Sequence, residues 1–314
     1  MADFSWTFDA PTGTFKNHEL SATIYKVAVE ESVFVDHTKP LSEFGRKMGE
    51  SITLKRVAAV SEPTSADLTE GIRIPEDVLS LSTKAITVGE IGRAVPYTSL
   101  AEDLSTLDLE GTIQGELKRQ MTLVLDTKAA VAFRASLIKY AITGIASNNI
   151  TTNGTFGAAS TENMNVFHVE EIRDYMYDTL RVPPAANGDY IAIFRTLGLR
   201  GIKRDPDWEE WHKYTDPSAK YNSEVGRMEE VRFIETNHNN ALRKVGTGSV
   251  LGEGVVFGAD AVAMVEAASP ELRAAMPQDF GREKAVAWYG ILAFGLIWDT
   301  GNAGQARVVH VGSL

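Results

Sequence analysis

Two groups of side chains have residue types and spacing that suit metal-ion or acid–base chemistry. The first is His168 and Glu171 in the stretch HVEE, three residues apart and therefore on one face of a predicted helix. A metal site needs at least one further ligand, and the sequence indicates none. A solvent-exposed helix face is the favoured interpretation of this pair.

The second group lies between Trp208 and His212, in the stretch DPDWEEWHKY. Aromatic rings stack on sugars and carboxylates accept hydrogen bonds from hydroxyl groups, so this cluster is a candidate site of an acidic sugar-binding protein or a metal-dependent enzyme. The favoured alternative is a surface helix that begins at Asp205, has Pro206 in its first turn and is anchored by its tryptophans.

No complete catalytic motif accompanies these groups. The sequence has no phosphate-binding loop, dinucleotide-binding loop or nucleophile elbow, and it has no cysteine. The lack of cysteine excludes disulfides, thiolate metal sites and a cysteine nucleophile. We therefore predict no catalytic residue, no metal, no cofactor and no enzymatic turnover.

Charge and hydropathy limit the partners of the chain. Its 314 residues include 31 Lys and Arg against 42 Asp and Glu, for a net charge of −11 at pH 7. Because grooves that bind nucleic acid are normally basic, a dedicated DNA-binding protein is disfavoured, although a protein that encloses DNA is not. The longest apolar run, residues 288–298, is too short to span a bilayer, and the N-terminus lacks the pattern of a signal peptide.

A long amphipathic helix is the strongest periodic signal. Apolar residues recur every three or four positions from residue 104 to residue 143 without a proline, with Asp103 and Asp108 as candidate N-caps and Gly144 as the candidate stop. No heptad or internal repeat is sustained, so we expect a solitary helix that lies across a sheet of the same chain. Its expected contact face is formed by Ile113, Leu117, Met121 and Val124.

The segment before this helix is predicted to be a β-hairpin with a long insert. The strands are expected near residues 49–60 and 81–98, with Ile52 and Leu54 in phase on one strand and Ile86 and Val88 on the other. The insert is rich in Ser, Pro, Gly and acidic residues, so it cannot form a core of its own. It must be disordered or lie on another surface.

The stretch EVGRMEEVRFIETN, residues 224–237, is predicted to be a turn at Gly226 followed by a strand. Val231 and Phe233 alternate with charged residues, as in a half-buried strand. Nothing nearby holds the two adjacent glutamates as an acid–base pair. With the long helix, the hairpin and further short strands, the prediction is an α+β fold.

Four stretches, in order along nearly the whole chain, resemble the major capsid protein of tailed bacteriophages, which has the Hong Kong 97-type fold, and in particular the capsid subfamily of N4-type phages. They are GRKMGESITLKR, DPDWEEWHKY, VGRMEEVRFIETN and WYGILAFGLIWD. The resemblance implies a structural protein that assembles with itself into hexamers and pentamers of an icosahedral shell around double-stranded DNA, without sequence-specific DNA binding. It also implies a location in the virion, assembly in the host cytoplasm, and scaffolding, portal and decoration proteins as partners. A shell protein of an encapsulin-like bacterial compartment is the alternative.

The resemblance implies a division of the chain into parts. These are an N-terminal arm (1–45), an extended hairpin loop (46–98), a peripheral domain with the long spine helix (99–164), an axial domain (165–285) and C-terminal strands (286–314).

In the resembled fold the extended loop reaches over the adjacent subunit. Residues 61–77 have a local charge of −4, so we expect this tip to lie near basic residues of a neighbour, among them those of its long helix. The expected intersubunit residues are Glu62, Asp67, Glu70, Arg73, Glu76 and Asp77 on the tip, and Lys118, Arg119, Lys128 and Arg134 on the helix.

Overall fold

The computed structural model describes most of the chain from residue 32 onward. The described residues are 32–41, 45, 47, 49–58, 60, 62–63, 65–105, 108–185, 188–206, 208, 224–242, 252–275 and 279–314. Most of the expected N-terminal arm therefore lies outside the described residues.

Thirteen strands and three α-helices have their bounds within these residues, and Pro206 and Trp208 are also helical. The first strands are β1 (Lys39–Leu41), β2 (Ser51–Val57), β3 (Leu81–Thr87), β4 (Gly89–Thr98), β5 (Ile138–Gly144), β6 (Ser147–Thr151) and β7 (Tyr190–Arg195). The remaining strands are β8 (Glu224–Met228), β9 (Val231–Thr236), β10 (Gly252–Phe257), β11 (Val262–Ala274), β12 (Glu283–Leu296) and β13 (Val308–Ser313). The helices are α1 (Ser99–Leu104), α2 (Leu109–Arg134) and α3 (Val166–Asp174), and a π-helical turn, Tyr175–Thr179, continues α3.

A seven-stranded mixed sheet has the order β6-β5-β13-β10-β7-β9-β8. The pairs β5–β13 and β7–β9 are parallel and the other neighbours are antiparallel. One core packs α3 against the sheet through Val169 and Ile172, with Tyr140 and Phe233 from the strands. A second core includes Phe133 from the last turn of α2. Because both faces are covered, the central strands are apolar on both sides and lack an alternating pattern.

A four-stranded sheet, ordered β1-β11-β12-β4, supports the long helix. Leu117 of α2 is buried against Val286 and Trp288 of β12. The other three residues of the predicted contact face, Ile113, Met121 and Val124, pack on the same cluster. The prediction that this helix lies on a sheet of its own subunit is therefore confirmed.

The long helix is shorter than predicted at both ends. It begins after Asp108, whose side chain accepts a hydrogen bond from the backbone N–H of Gly111, as the sequence predicts. Asp103 is not a cap, since it lies inside the separate helix α1. At the other end the helix stops at Arg134, and the residues up to Gly144 form strand β5. A short apolar run that is buried on both faces has no periodicity that distinguishes a strand from a helix. The predicted helix therefore included the residues of β5.

The base of the hairpin has the predicted phase, since Ile52, Leu54, Ile86 and Val88 all face one apolar cluster. Strands β2 and β3 are antiparallel with Ile52 opposite Ile86, and Ile86 is buried against Ala263 and Val265 of β11. The predicted return strand is divided, because the chain after Val88 leaves the hairpin as β4 and pairs with β12.

The hairpin β8–β9 corrects the interpretation of the stretch 224–237. Gly226 lies inside β8 at a register shift and does not form the turn. The turn consists of Glu229 and Glu230, with φ values of +47° and +59°. A two-residue hairpin turn with two left-handed residues matches the twist of the strands, and Asn-Gly or Asp-Gly is its usual sequence. Two adjacent glutamates are not a typical turn sequence, so the sequence indicates a turn at the nearby glycine instead.

Candidate functional site

The predicted pair of His168 and Glu171 does not form a metal site. His168 is fully buried, with Nδ1 2.9 Å from the Tyr140 hydroxyl oxygen and Nε2 3.0 Å from the Gly144 carbonyl oxygen. The carbonyl must accept, so Nε2 donates and Nδ1 accepts from Tyr140. The solvent-exposed interpretation is wrong for His168, because α3 turns this side chain toward the sheet; it holds for Glu171.

Burial explains the titration of this histidine and its partner. It lowers the pKa of His168 and raises the pKa of Tyr140 above its ordinary value. Both effects keep the two groups neutral. Across the part of the chain that the structure describes, no group of three or more His, Asp or Glu side chains could hold a metal ion.

The aromatic and acidic cluster is represented by Trp208 alone, because residues 209–212 lie outside the described residues. Trp208 is buried, with its ring edge-on to Phe233 at a centroid distance of 5.7 Å. The Trp208 ring is part of the core on the seven-stranded sheet, so it is not accessible for stacking on a sugar. For Trp208 the prediction of an anchoring residue is therefore confirmed.

The hairpin insert is a long exposed segment of the described chain. Residues 62–63 and 65–83 are all exposed, and the ion pair between Arg73 and Glu76 lies within the insert. All six predicted charged tip residues lie on this exposed segment. The tip does not pack onto the long helix of its own subunit.

The hairpin also carries an apolar surface that the sequence analysis missed. Large apolar side chains on both its arms are 49–85% exposed, which on a soluble monomer marks a surface for another molecule. The sequence contains these apolar residues, but they are scattered among Ser, Pro, Gly and acidic residues and form no periodic pattern. The exposed side chains are Val57, Val60, Leu68, Ile72, Ile74, Val78, Leu79 and Leu81.

The predicted basic residues of the helix do not form one free surface. Lys118 and Lys128 are exposed, whereas Arg119 pairs with Glu116 one turn away. Arg134 is turned inward, where its Nε lies 2.5 Å from Oε1 of the buried Glu253.

A polar cluster fixes the base of the hairpin to the rest of the subunit. The carboxylate of Asp299 accepts hydrogen bonds from Arg56 of β2 at 2.5 Å and from Lys84 of β3 at 2.7 Å. These two bonds lower the pKa of Asp299 to about 2. The Arg56 guanidinium also lies 5.5 Å from the ring centroid of Trp298. Both strands of the hairpin are thus tied to the turn that follows β12.

A buried carboxylate connects three parts of the subunit. Oδ1 of Asp126, on α2, accepts hydrogen bonds from the backbone N–H groups of Val33 at 2.9 Å and Phe34 at 2.7 Å, and from the Ser32 hydroxyl at 3.1 Å. Its Oδ2 lies 2.8 Å from Nδ1 of His238, in the segment after β9. Asp126 therefore holds the chain that follows residue 31 against both the helix and the seven-stranded sheet.

The arrangement provides contact surfaces and anchors, and none of its described residues forms a catalytic constellation. None of the helices built by the described residues has the length and hydropathy needed to cross a membrane. No family profile matches the sequence, and no curated protein matches it.

Solved structures match the chain over nearly its whole length. The capsid asymmetric unit of cyanophage Pam1 has a TM-score of 0.70 at 16% identity, covering 100% of this chain and 99% of the other. The head structure of Helicobacter pylori bacteriophage KHP40 has a TM-score of 0.71 at 13% identity, covering 99% and 98%. The capsid of Ralstonia phage GP4 has a TM-score of 0.64 at 16% identity, with the same two coverages of 99% and 98%. The chain therefore has the Hong Kong 97-type fold of phage capsid subunits.

Proposed function

We propose that this chain is the major capsid subunit of a tailed bacteriophage and that it assembles with itself into an icosahedral shell that encloses double-stranded DNA. The observation that carries the proposal is the agreement of fold over nearly the full length of both chains in each comparison. A match that included only one domain would leave the rest of the chain free for another role. The function is structural, without catalytic turnover.

The exposed hairpin supports self-assembly independently. A long two-stranded extension with large exposed apolar side chains gains stability only when a partner covers it. Burying each such side chain would contribute about 1.5–3 kcal/mol before the cost of ordering the loop. We propose that the partner is the adjacent subunit of the same shell.

Charge would align this contact. The six predicted tip residues, five acidic and one basic, are all exposed. On the long helix of a neighbour, Lys118 and Lys128 would be exposed cations. Each exposed ion pair would contribute only about 0.2–1 kcal/mol, so the apolar residues would supply most of the free energy. Arg119 remains among the proposed intersubunit residues. Arg134 would contribute only if its bond to Glu253 were replaced by a bond to an acidic residue of the neighbour.

We further propose the division into arm, extended loop, peripheral domain, axial domain and C-terminal strands with the boundaries given above. Residues 138–151 fall in the proposed peripheral domain, although they pair with the seven-stranded sheet. We also propose membership of the N4-type capsid group, hexamers and pentamers as assembly units, assembly in the host cytoplasm, and interactions with scaffolding, portal and decoration proteins.

Two other functions compete with this proposal. In the first, the chain would also form a shell, that of an encapsulin-like bacterial compartment. Such a shell would enclose cargo protein and not DNA. The sugar-binding or metal-dependent enzyme depends on the Trp208–His212 cluster, and the buried ring of Trp208 disfavours it. Particles purified from infected cells distinguish the first alternative, since they should contain DNA.

Electron microscopy of the purified protein tests the main proposal. We expect shells, tubes or ring-shaped capsomers in negative stain, and a sedimenting species far larger than the 34.3 kDa monomer. A protein that stays a monomeric globule at high concentration and over a range of salt would contradict it.

Variants of the insert separate its apolar and ionic contributions. Deletion of residues 61–77 should leave the subunit folded, with unchanged helix content by circular dichroism, while particle formation fails. A triple Ser variant of Ile72, Ile74 and Val78 should abolish assembly, because it removes apolar surface. Neutralising the acidic tip should weaken assembly only at low salt, where ion pairs are unscreened. Normal shells from the deletion variant would show that the insert has no intersubunit role.

A further inference from the structure

Four side chains form a closed hydrogen-bonded ring where α2 meets the seven-stranded sheet. Nε of Arg134 and Nε2 of His310 both lie 2.5 Å from Oε1 of Glu253. On the other side of the imidazole, Nζ of Lys139 lies 2.8 Å from Nδ1 of His310. The same Nζ donates to the backbone carbonyl of Arg134 at 2.8 Å, which closes the ring.

Three of the four side chains of the ring are shielded from solvent, and the fourth, that of Arg134, is 22% exposed. Glu253 is 0% exposed, His310 4% and Lys139 6%, and they lie on the neighbouring strands β10, β13 and β5. The Phe156 ring covers the site, with its centroid 5.0 Å from that of His310 and 5.7 Å from Nζ of Lys139. In such a place every charge depends on its partners, because water cannot replace them.

The ring has one excess positive charge when the histidine is neutral and two when it is protonated. Facing the imidazole are Arg134 from α2, Lys139 from β5 and Glu253 from β10, which makes two cations and one carboxylate. No second carboxylate among the described residues bonds to the ring, and Oε2 of Glu253 has no hydrogen-bond partner within the described chain. A neutral imidazole satisfies the geometry, because Nε2–H donates to Glu253 and Nδ1 accepts from the ammonium.

A second proton on His310 would disrupt this pattern. Nδ1–H would then point at the Lys139 ammonium 2.8 Å away, where neither group can accept. Burial, assisted by Lys139 and Arg134 and opposed by Glu253, lowers the pKa of His310. Burial likewise lowers the pKa of Lys139 to about 8, with Arg134 adding to the effect and Glu253 opposing it.

We propose that this ring is an acid-sensitive lock between the end of α2 and the seven-stranded sheet, and that it opens when His310 takes up a proton. The open state binds a proton that the closed state excludes, so acid favours opening. Below pH 6.5, the ordinary value for histidine, the equilibrium constant for opening should rise by up to about tenfold per pH unit. Between pH 6.5 and about 7 the opening constant should be insensitive to pH, since Lys139, with a pKa lowered to about 8, is still charged in both states there.

Hydrogen exchange on unassembled subunits tests the lock directly. Backbone amides of β5 and β13 are compared at pH 7.0 and pH 5.5, after correction for intrinsic exchange rates. We expect the local opening constant of the wild type to rise by about tenfold, in keeping with one proton taken up over the unit below pH 6.5. An opening constant that does not change would overturn the proposal.

Removal of the opposing cation provides the matched variant. In Lys139→Met the ammonium is absent, so a protonated His310 can pair with Glu253, and the rise should fall below about threefold. Lys128→Met removes an exposed lysine of α2 and should retain the tenfold rise. A Lys139→Met protein with the full wild-type response would refute the assigned repulsion. Should that variant fail to fold, NMR titration of His310 in the wild type decides, since an imidazole that becomes protonated above pH 6.5 is incompatible with the lock.

Discussion

Replacement of Asp126 gives the sharpest test of how the subunit is held together. In Asp126→Ala the backbone N–H groups of Val33 and Phe34 lose their acceptor, and His238 loses its bond to the carboxylate. A buried donor left without a partner costs about 1–3 kcal/mol, so we expect the free energy of unfolding to fall by about 4–6 kcal/mol.

Asp126→Asn should have a smaller effect. The amide oxygen can still accept from Val33 and Phe34, and His238 can accept from the amide nitrogen after its ring proton moves to Nε2, 3.4 Å from the Thr127 hydroxyl. What is lost is the charge, which makes such bonds roughly twice as strong as neutral ones. We expect a loss of about 2–3 kcal/mol.

Chemical denaturation of unassembled subunits, followed by circular dichroism, measures both values. Limited proteolysis adds a local measurement, because cleavage near residues 32–38 should become faster in the alanine variant before global unfolding. Asp178→Asn, at an exposed position, serves as the control and should change stability by less than about 0.5 kcal/mol. If Asp126→Ala remained within 1 kcal/mol of the wild type, the anchoring role of this carboxylate would be refuted.

Three further predictions concern other parts of the subunit. Asp299 contributes stability that is fully present above its ordinary pKa of 3.8 and lost as pH falls through about 2, so Asp299→Asn should flatten the dependence of the melting temperature on pH in that window. Leu117→Asp buries a charge against Trp288 and should cost several kcal/mol, enough to abolish soluble expression, whereas Lys118→Asp at the adjacent exposed position should stay soluble. Glu229→Asn relieves a left-handed glutamate and should stabilise the subunit by about 0.5–1 kcal/mol in denaturant titrations; an unchanged or lower midpoint would show that the turn is not strained.

The long helix and its contact face were predictable because their signal is local. Leu117 and the other residues of the contact face recur at helical spacing, and Asp108 is a typical cap. Both the start of the helix and its buried face can therefore be predicted from nearby residues alone. The end of the helix was not predictable in the same way. Ile138 and Tyr140 are buried by segments far along the chain, and no periodicity of their own distinguishes a strand from a further helical turn.

The buried polar groups were the least predictable part. Lys139 falls within the predicted helix, residues 104–143, and only the register of β5 against β13 places it beside His310. Asp126 falls within the predicted helix, where helical spacing gives no sign that a carboxylate is buried. Its partners are 92 and 112 positions away in the sequence, so only the folded chain brings them together.

The place of β13 in its sheet imposes an order on synthesis and assembly. This strand lies between β5 and β10, yet Lys139 and His310 of the first pair are 171 residues apart in sequence. At about 5–20 residues per second, a ribosome needs roughly 10–30 s to synthesise the residues between them. During that time the strand between β5 and β10 is missing from the sheet. A nascent chain cannot complete the fold before this late strand emerges. Under the proposed function, nascent chains on one messenger RNA cannot join as finished subunits, and the concentration of released chains would control when shells begin to form.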